Sequence, residues 1–192
     1  MDATADELAG VVDLFGGLTR AELERALSEI AFRADGKTVD EDAAAAAIER
    51  ALESFALVRY DRTAIDVDAG DAGERVTDGG DAGAAEGGGE ATEPLLVAGP
   101  TAFPTVPDHA EDVPHILDIG HRRIDREALG DTAETQFSAT VEEALEGDGD
   151  DAGDTDSERL RHLLDVSYDF EAWAPVDLSA ERTRLETALE SA

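Results

Sequence analysis

The sequence predicts a mostly α protein with a small β-hairpin, a helical N-terminal unit being followed by a C-terminal helical part. Three observations lead to this class. Three threonine-x-x-glutamate signatures, each ahead of an apolar stripe of helical period, fall within the first sixty residues. Two short apolar runs, 56–60 and 94–98, have strand character. Helical stripes then return through the second half of the chain.

The first helix is expected to begin at Thr4, with Glu7 three residues on, the second at Thr19 with Glu22, and the third at Thr38 with Glu41. In such a capping box the hydroxyl accepts from the N3 amide, and the carboxylate accepts from the amide of the cap residue. Leu8, Val11, Val12 and Phe15 follow the i, i+3, i+4, i+7 spacing, and Leu23, Ala26, Leu27 and Ile30 repeat it. Ala44, Ala47, Ile48, Ala51, Leu52 and Phe55 carry the third stripe. Gly16-Gly17 and Gly36 close the first two helices, because glycine accepts the left-handed conformation of a helix exit. Ala56 to Tyr60 then reads as extended, Thr63 to Val67 as a short alternating strand, and Pro94 to Ala98 as another strand. Between them, 68–93 is rich in Gly, Ala, Asp and Glu and reads as a flexible acidic loop.

Three short helices followed by a strand resemble a winged-helix unit. The resemblance covers 1–67 and 94–99, and it implies that the acidic run is the tip of a wing whose strands pair with each other. Deleting 70–92 is then expected to leave the fold intact.

Five of the six prolines lie between Pro94 and Pro114, so 100–114 is read as a stiff connector. The C-terminal helical part occupies 115–192. Ile124 and Ala128 open one segment, and Ala133, Phe137, Val141, Ala144 and Leu145 line another behind the candidate cap Asp131 with Glu134. Thr155 and Glu158 form a fourth capping box before Leu160, Leu163 and Leu164. A last helix begins near Ser179 and presents Leu185, Ala188 and Leu189.

Composition bounds the setting. The chain has 192 residues, net charge −32, 47 acids against 15 bases, and no cysteine. Cysteine chemistry, whether disulfide, thiolate ligand or nucleophile, is therefore excluded. Acid excess, a single lysine and abundant Ala, Asp, Thr and Val point to a halophilic cytoplasm. In molar salt the Debye length falls to roughly 3 Å, which screens the self-repulsion that this charge imposes in dilute buffer. A disordered acidic chain is the competing reading, and the 42% hydrophobic content set in periodic stripes argues against it. No basic patch followed by an apolar run opens the sequence, and no stretch approaches the ~20 apolar residues that span a bilayer. A soluble cytoplasmic protein with no membrane partner is expected.

Several motifs come near to known chemistry. Ala31 to Thr38 approximates a phosphate-binding loop, but a helix precedes it where that chemistry needs a strand, and Glu41 and Asp42 would repel an anion. It reads as a helix-to-helix turn. Asp148 to Gly153 suggests a calcium loop, yet Ala152 and Arg159 fall where ligands are required. His109, His115 and His121 recur every six residues, a spacing that places no two together on a helix. His162 reads as the flank of an apolar stripe, and Tyr168, Phe170 and Trp173 read as core. No catalytic, cofactor-binding or metal-binding set is singled out, so a non-enzymatic role with no cofactor is expected.

Seven of the fifteen bases fall in 1–62, where they accompany fourteen acids. Arg20, Arg33, Lys37 and Arg59 are the candidate contacts to nucleic acid or to a protein partner. In a DNA-binding reading the third helix would enter the groove, but it opens Asp40-Glu41-Asp42 and lacks the Arg, Asn and Gln that read base edges. The first expectation is a protein-interaction or regulatory adaptor whose partner is another protein. The alternative is a DNA-binding winged-helix-type transcriptional regulator.

Three stretches carry a wider likeness: Val11 to Leu23 (VVDLFGGLTRAEL), Pro114 to Asp118 (PHILD) and Leu164 to Trp173 (LDVSYDFEAW). They resemble a group of acidic haloarchaeal proteins of unknown function. The resemblance implies a habitat and transfers no activity and no functional residue.

Overall fold

The structure, a computed structural model, describes residues 3–36, 40–61, 93–146 and 153–191. The chain is mostly helical, and the described residues hold a single two-stranded antiparallel hairpin. Helix α1 (Ala5–Phe15) starts with the expected capping box: the Glu7 amide donates to the Thr4 hydroxyl at 3.2 Å, and the Thr4 amide donates to Glu7 at 2.8 Å. Helix α2 (Arg20–Asp35) repeats it with Thr19 and Glu22, at 3.3 and 2.8 Å. Gly16 (φ 72°) and Gly36 (φ 63°) end these two helices in the left-handed conformation.

Helix α3 (Glu41–Glu53) begins later than the sequence signature predicts. Asp40 is its cap, accepting from the Ala43 amide at 3.1 Å, while the predicted cap Thr38 lies outside the described residues. Aspartate caps as well as threonine does, and this choice puts Glu41 and Asp42 in the first turn, where the helix dipole favours negative charge.

Strand β1 (Leu57–Tyr60) pairs antiparallel with β2 (Leu95–Ala98), Leu57 lying opposite Ala98 and Tyr60 opposite Leu95. The Thr63–Val67 run and the acidic loop lie outside the described residues. On its other edge β2 bonds to Leu18, the residue between α1 and α2, through Leu18 N to Leu96 O (3.1 Å) and Leu96 N to Leu18 O (2.6 Å). The lateral order is Leu18, β2, β1. The free edge of β1 is covered by α5 (Arg126–Glu146), whose Gln136 amide donates to the Arg59 carbonyl and accepts from the Arg59 amide. A side-chain amide thereby substitutes for a neighbouring strand.

The ribbon separates two apolar cores. Successive side chains on a strand point to opposite faces, so each strand feeds both. Leu57 and Leu96 join the stripes of α1, α2 and α3. Val58, Tyr60, Leu95 and Val97 join α5, α6 (Gly153–Trp173) and α7 (Ser179–Ser191). The 100–114 segment brings Ala110 and Val113 into the first core, and the short helix α4 (Val113–Leu117) packs against α2.

The second core is centred on Phe55, Phe137 and Phe170, with ring centroids 5.0 to 5.6 Å apart. Phe55 has a φ of 58°, an uncommon value for a bulky residue, at the turn from α3 into β1.

Three sequence readings in this half need correction. Asp131 is not a cap, because α5 runs unbroken from Arg126, and Asp125 caps it by accepting from the Glu127 and Ala128 amides at 2.9 and 3.1 Å. Helix α6 starts at Gly153, so Thr155 lies within its first turn. Of the three aromatics near its end Phe170 is core, Trp173 is half-buried and Tyr168 is exposed, with the Arg182 guanidinium 4.8 Å from its ring centroid. Among the described residues no helix is long and apolar enough to cross a membrane.

Candidate functional site

The candidate bases are placed mainly by α2 and β1. Arg20, at the first position of α2, donates to Glu24 at 3.2 Å, to Glu49 of α3 and to the Ala45 carbonyl. Arg59 of β1 reaches the other Glu49 oxygen at 3.6 Å. Two of the four candidates therefore converge on one carboxylate. The Arg20 hydrogen bond holds Glu49 below the usual carboxylate range, and the reciprocal bond raises Arg20. Arg33, near the end of α2, donates to Glu29 at 2.9 Å and approaches Asp112 at 3.7 Å. It stands apart from the Glu49 cluster. Lys37 lies outside the described residues. Arg25 and Arg50, also in this unit, are exposed and form no ion pair among the described residues.

A cleft of about 710 Å³ opens between α2 and the start of α3. Ala21, Ala44, Ala45 and Leu117 supply its apolar lining, and Glu24, Glu29, Glu41 and Asp42 its charge, with Arg25 as the one base. The exposed positions of α3 are Glu41 and Asp42 at the cleft and Ala46, Arg50 and Glu53 beyond it.

A second cleft, of about 560 Å³, lies where β2 and the end of α1 meet the start of α5. His121, Arg122, Arg123 and Arg126 line it beside Trp173, and Asp13 is its one carboxylate. The 121–126 segment is anchored by Arg122, whose amide donates to the Phe15 carbonyl at 2.7 Å and whose guanidinium holds Glu22 and the Gly17 carbonyl. Burial pushes the Glu22 carboxyl up, but hydrogen bonds from Arg122 and from the Thr19 amide outweigh it and hold the group below the ordinary glutamate value. Sequence reading passed over this cluster. Its signal was local: three bases within 122–126 in a chain of 47 acids.

The regularly spaced histidines do not assemble. His109 sits in a turn at φ 70°, His115 is in α4, and His121 lies against Gly16. Among the described residues, no group of three or more His, Cys, Asp or Glu side chains is arranged to hold a metal ion. The phosphate-loop-like stretch is the end of α2 and its glycine exit, while 148–152 of the calcium-loop-like stretch lies outside the described residues.

A family model described as a family of unknown function, DUF7109, matches residues 6–190. No curated protein and no solved structure matches the chain.

Proposed function

The chain belongs to the DUF7109 family, whose description assigns no activity, and from its geometry we propose a non-enzymatic adaptor that docks a basic segment of another protein in the cleft between α2 and α3. The observation that carries this reading is the lining of that cleft: alanines and Leu117 give an apolar floor, and four carboxylates against one arginine give the charge. An amphipathic segment with lysines or arginines beside small apolar residues complements both. The composition supports work in a high-salt cytoplasm, where long-range attraction is screened and only charges in contact contribute to recognition.

The element order supports a second reading. Helix, bridge residue, two helices and a ribbon whose returning strand pairs back to Leu18 resemble the element order of a winged helix, which would suit a DNA-binding regulator. The chemistry of α3 weighs against it, since its exposed side presents carboxylates and Arg20 and Arg59 are engaged with Glu49.

One experiment separates the two. The tagged protein is crosslinked in its own cells at native salt, and DNA and proteins are identified from the same sample. The adaptor reading expects one reproducible protein, crosslinked through a basic segment and lost with Glu24→Lys and Asp42→Lys. Discrete DNA peaks that vanish when Arg20, Arg33, Lys37 and Arg59 are replaced by alanine would overturn it in favour of the regulator. A protein partner indifferent to both lysine substitutions would also remove the cleft from the reading.

A further inference from the structure

We infer that the cleft between β2 and the start of α5 binds a phosphate-bearing small molecule, with Arg123 and Arg126 as the anion contacts and Trp173 beside them. The inference is independent of the adaptor reading and uses a different surface.

The sign of the lining is the first argument. Three other clefts on the molecule each carry more carboxylates than arginines: four to one between α2 and α3, three to two beside Arg59, and three to none along α5. This cleft carries three arginines to one carboxylate, against the composition of the whole chain. At about 560 Å³ it falls within the size range of small-molecule sites.

The commitments of the three arginines are the second argument. Arg122 is spent on Glu22 and on the Gly17 carbonyl, and so positions the segment without being available to a ligand. Arg123, next to it, is exposed and has no hydrogen-bond or ion-pair partner among the described residues. Arg126 donates one Nη2–H to the Trp173 backbone carbonyl. That bond turns the guanidinium toward the tryptophan and leaves its other N–H groups free, since arginine carries five. Asp125, which lies between the two arginines in sequence, is turned onto the Glu127 and Ala128 amides as the α5 cap. Two guanidiniums without a carboxylate partner among the described residues, at one rim, suit the tetrahedral oxygens of phosphate, which accept paired N–H donors.

The net charge of −32 does not forbid such a site. With a Debye length of roughly 3 Å in molar salt, the distant carboxylates are screened, and a bound anion senses the groups that touch it. Trp173 supplies a flat wall next to the arginines, its ring held edge-on to Phe170 at 6.0 Å, so a phosphate ester of an aromatic base gains a contact that free phosphate lacks.

Trp173 is the only tryptophan in the chain, which makes its fluorescence a direct reporter. The test titrates the full chain with inorganic pyrophosphate at constant, high potassium chloride, following fluorescence and, in parallel, heat by calorimetry; ADP is titrated by calorimetry alone. The expected result is saturable binding that weakens roughly tenfold to a hundredfold in Arg123→Gln, the range for losing one charge-assisted contact. Arg50→Gln, which removes an equally unpaired guanidinium from α3, should leave the affinity unchanged. ADP binding tighter than pyrophosphate would identify the ligand as nucleotide-like, and equal affinities would identify the phosphate groups as the whole of what is recognised. No saturable heat or fluorescence change with either probe would overturn the inference. Equal weakening by Arg50→Gln and Arg123→Gln would do so as well, since it would reduce the binding to general charge.

Discussion

Arg122 donates to both carboxylate oxygens of Glu22, at 2.6 and 2.7 Å, although the two residues stand 100 positions apart. Glu22 is at the same time the N3 residue of the α2 capping box, accepting from the Thr19 amide. One carboxylate thus ends a local motif and begins a long-range one, tying the lead-in to α5 onto the turn between α1 and α2. Both side chains are about three-quarters or more removed from solvent, which places the pair between a surface and a buried salt bridge. Arg122→Ala should destabilise the protein by about 2 kcal/mol, because it strips the bidentate contact and the donor to the Gly17 carbonyl. Arg122→Lys should recover only part of the loss, since an ammonium cannot present the paired N–H fork. Chemical denaturation at fixed salt measures both.

The same carboxylate gives a pH dependence whose sign follows from its shift. Glu22 is held below its unfolded value, so the folded state binds its proton less readily than the unfolded chain does. Its contribution is complete above the unfolded glutamate value of about 4.3 and is lost as pH falls through the lower folded value. Wild-type stability should therefore drop more steeply below that point than the stability of Glu22→Gln. Parallel curves for the two proteins would show that Glu22 titrates alike in both states.

Phe55 sits in the second core beside Phe137 and Phe170, and its backbone offers a sharper test than its ring. Truncation to alanine removes edge and tilted contacts to Phe170 and Phe137 and should cost about 3–5 kcal/mol. Alanine would still occupy a left-handed position, at φ 58°. Phe55→Gly relieves that conformation and should come out more stable than Phe55→Ala by about 1 kcal/mol, inverting the usual order of the two substitutions. Thermal unfolding of the pair decides it.

The parts of the fold that could be read from sequence are those encoded within a turn or two of chain. The Thr4–Glu7 and Thr19–Glu22 boxes, the glycine exits and the two ribbon strands are such local signals. The start of α3 was misplaced because Thr38 and Asp40 are both capping residue types, and Asp40 is the one that caps it. The break expected at Asp131 failed for a tertiary reason: Gly130, a residue that weakens a helix, lies under Ala174 and Val176, and this contact supports α5 through it. Leu18 is a single residue, too short to alternate, so its bridge to Leu96 left no pattern. The basic cleft needed β2, α5 and Trp173 brought together from three regions, which no spacing rule could express. Counting bases by thirds of the chain also drew attention to Arg20 and Arg59, which the fold pairs with Glu49.

Two glycines should respond to alanine with opposite signs. Gly10 lies inside α1, where alanine is ordinarily better by about 1 kcal/mol. Here a Cβ would stand 2.1 Å from the Thr105 carbonyl oxygen, and the obstacle is backbone rather than a movable side chain. The crossing segment is fixed at this point by Thr105 N to Asp6 O (3.0 Å) and Phe103 N to Asp6 Oδ1 (2.9 Å). Gly10→Ala must push that segment off α1 and break these bonds, so a net loss of about 1–3 kcal/mol is expected despite the better helix former. Gly120 has nothing within 4 Å of its would-be Cβ and does not require a positive φ. Gly120→Ala should therefore stabilise the protein by about 0.4–1 kcal/mol, by reducing the freedom of the unfolded chain. Denaturation midpoints of the two variants, taken side by side in the same salt, should move to either side of wild type; a gain at Gly10 would mean that 103–105 does not cross α1 at this distance.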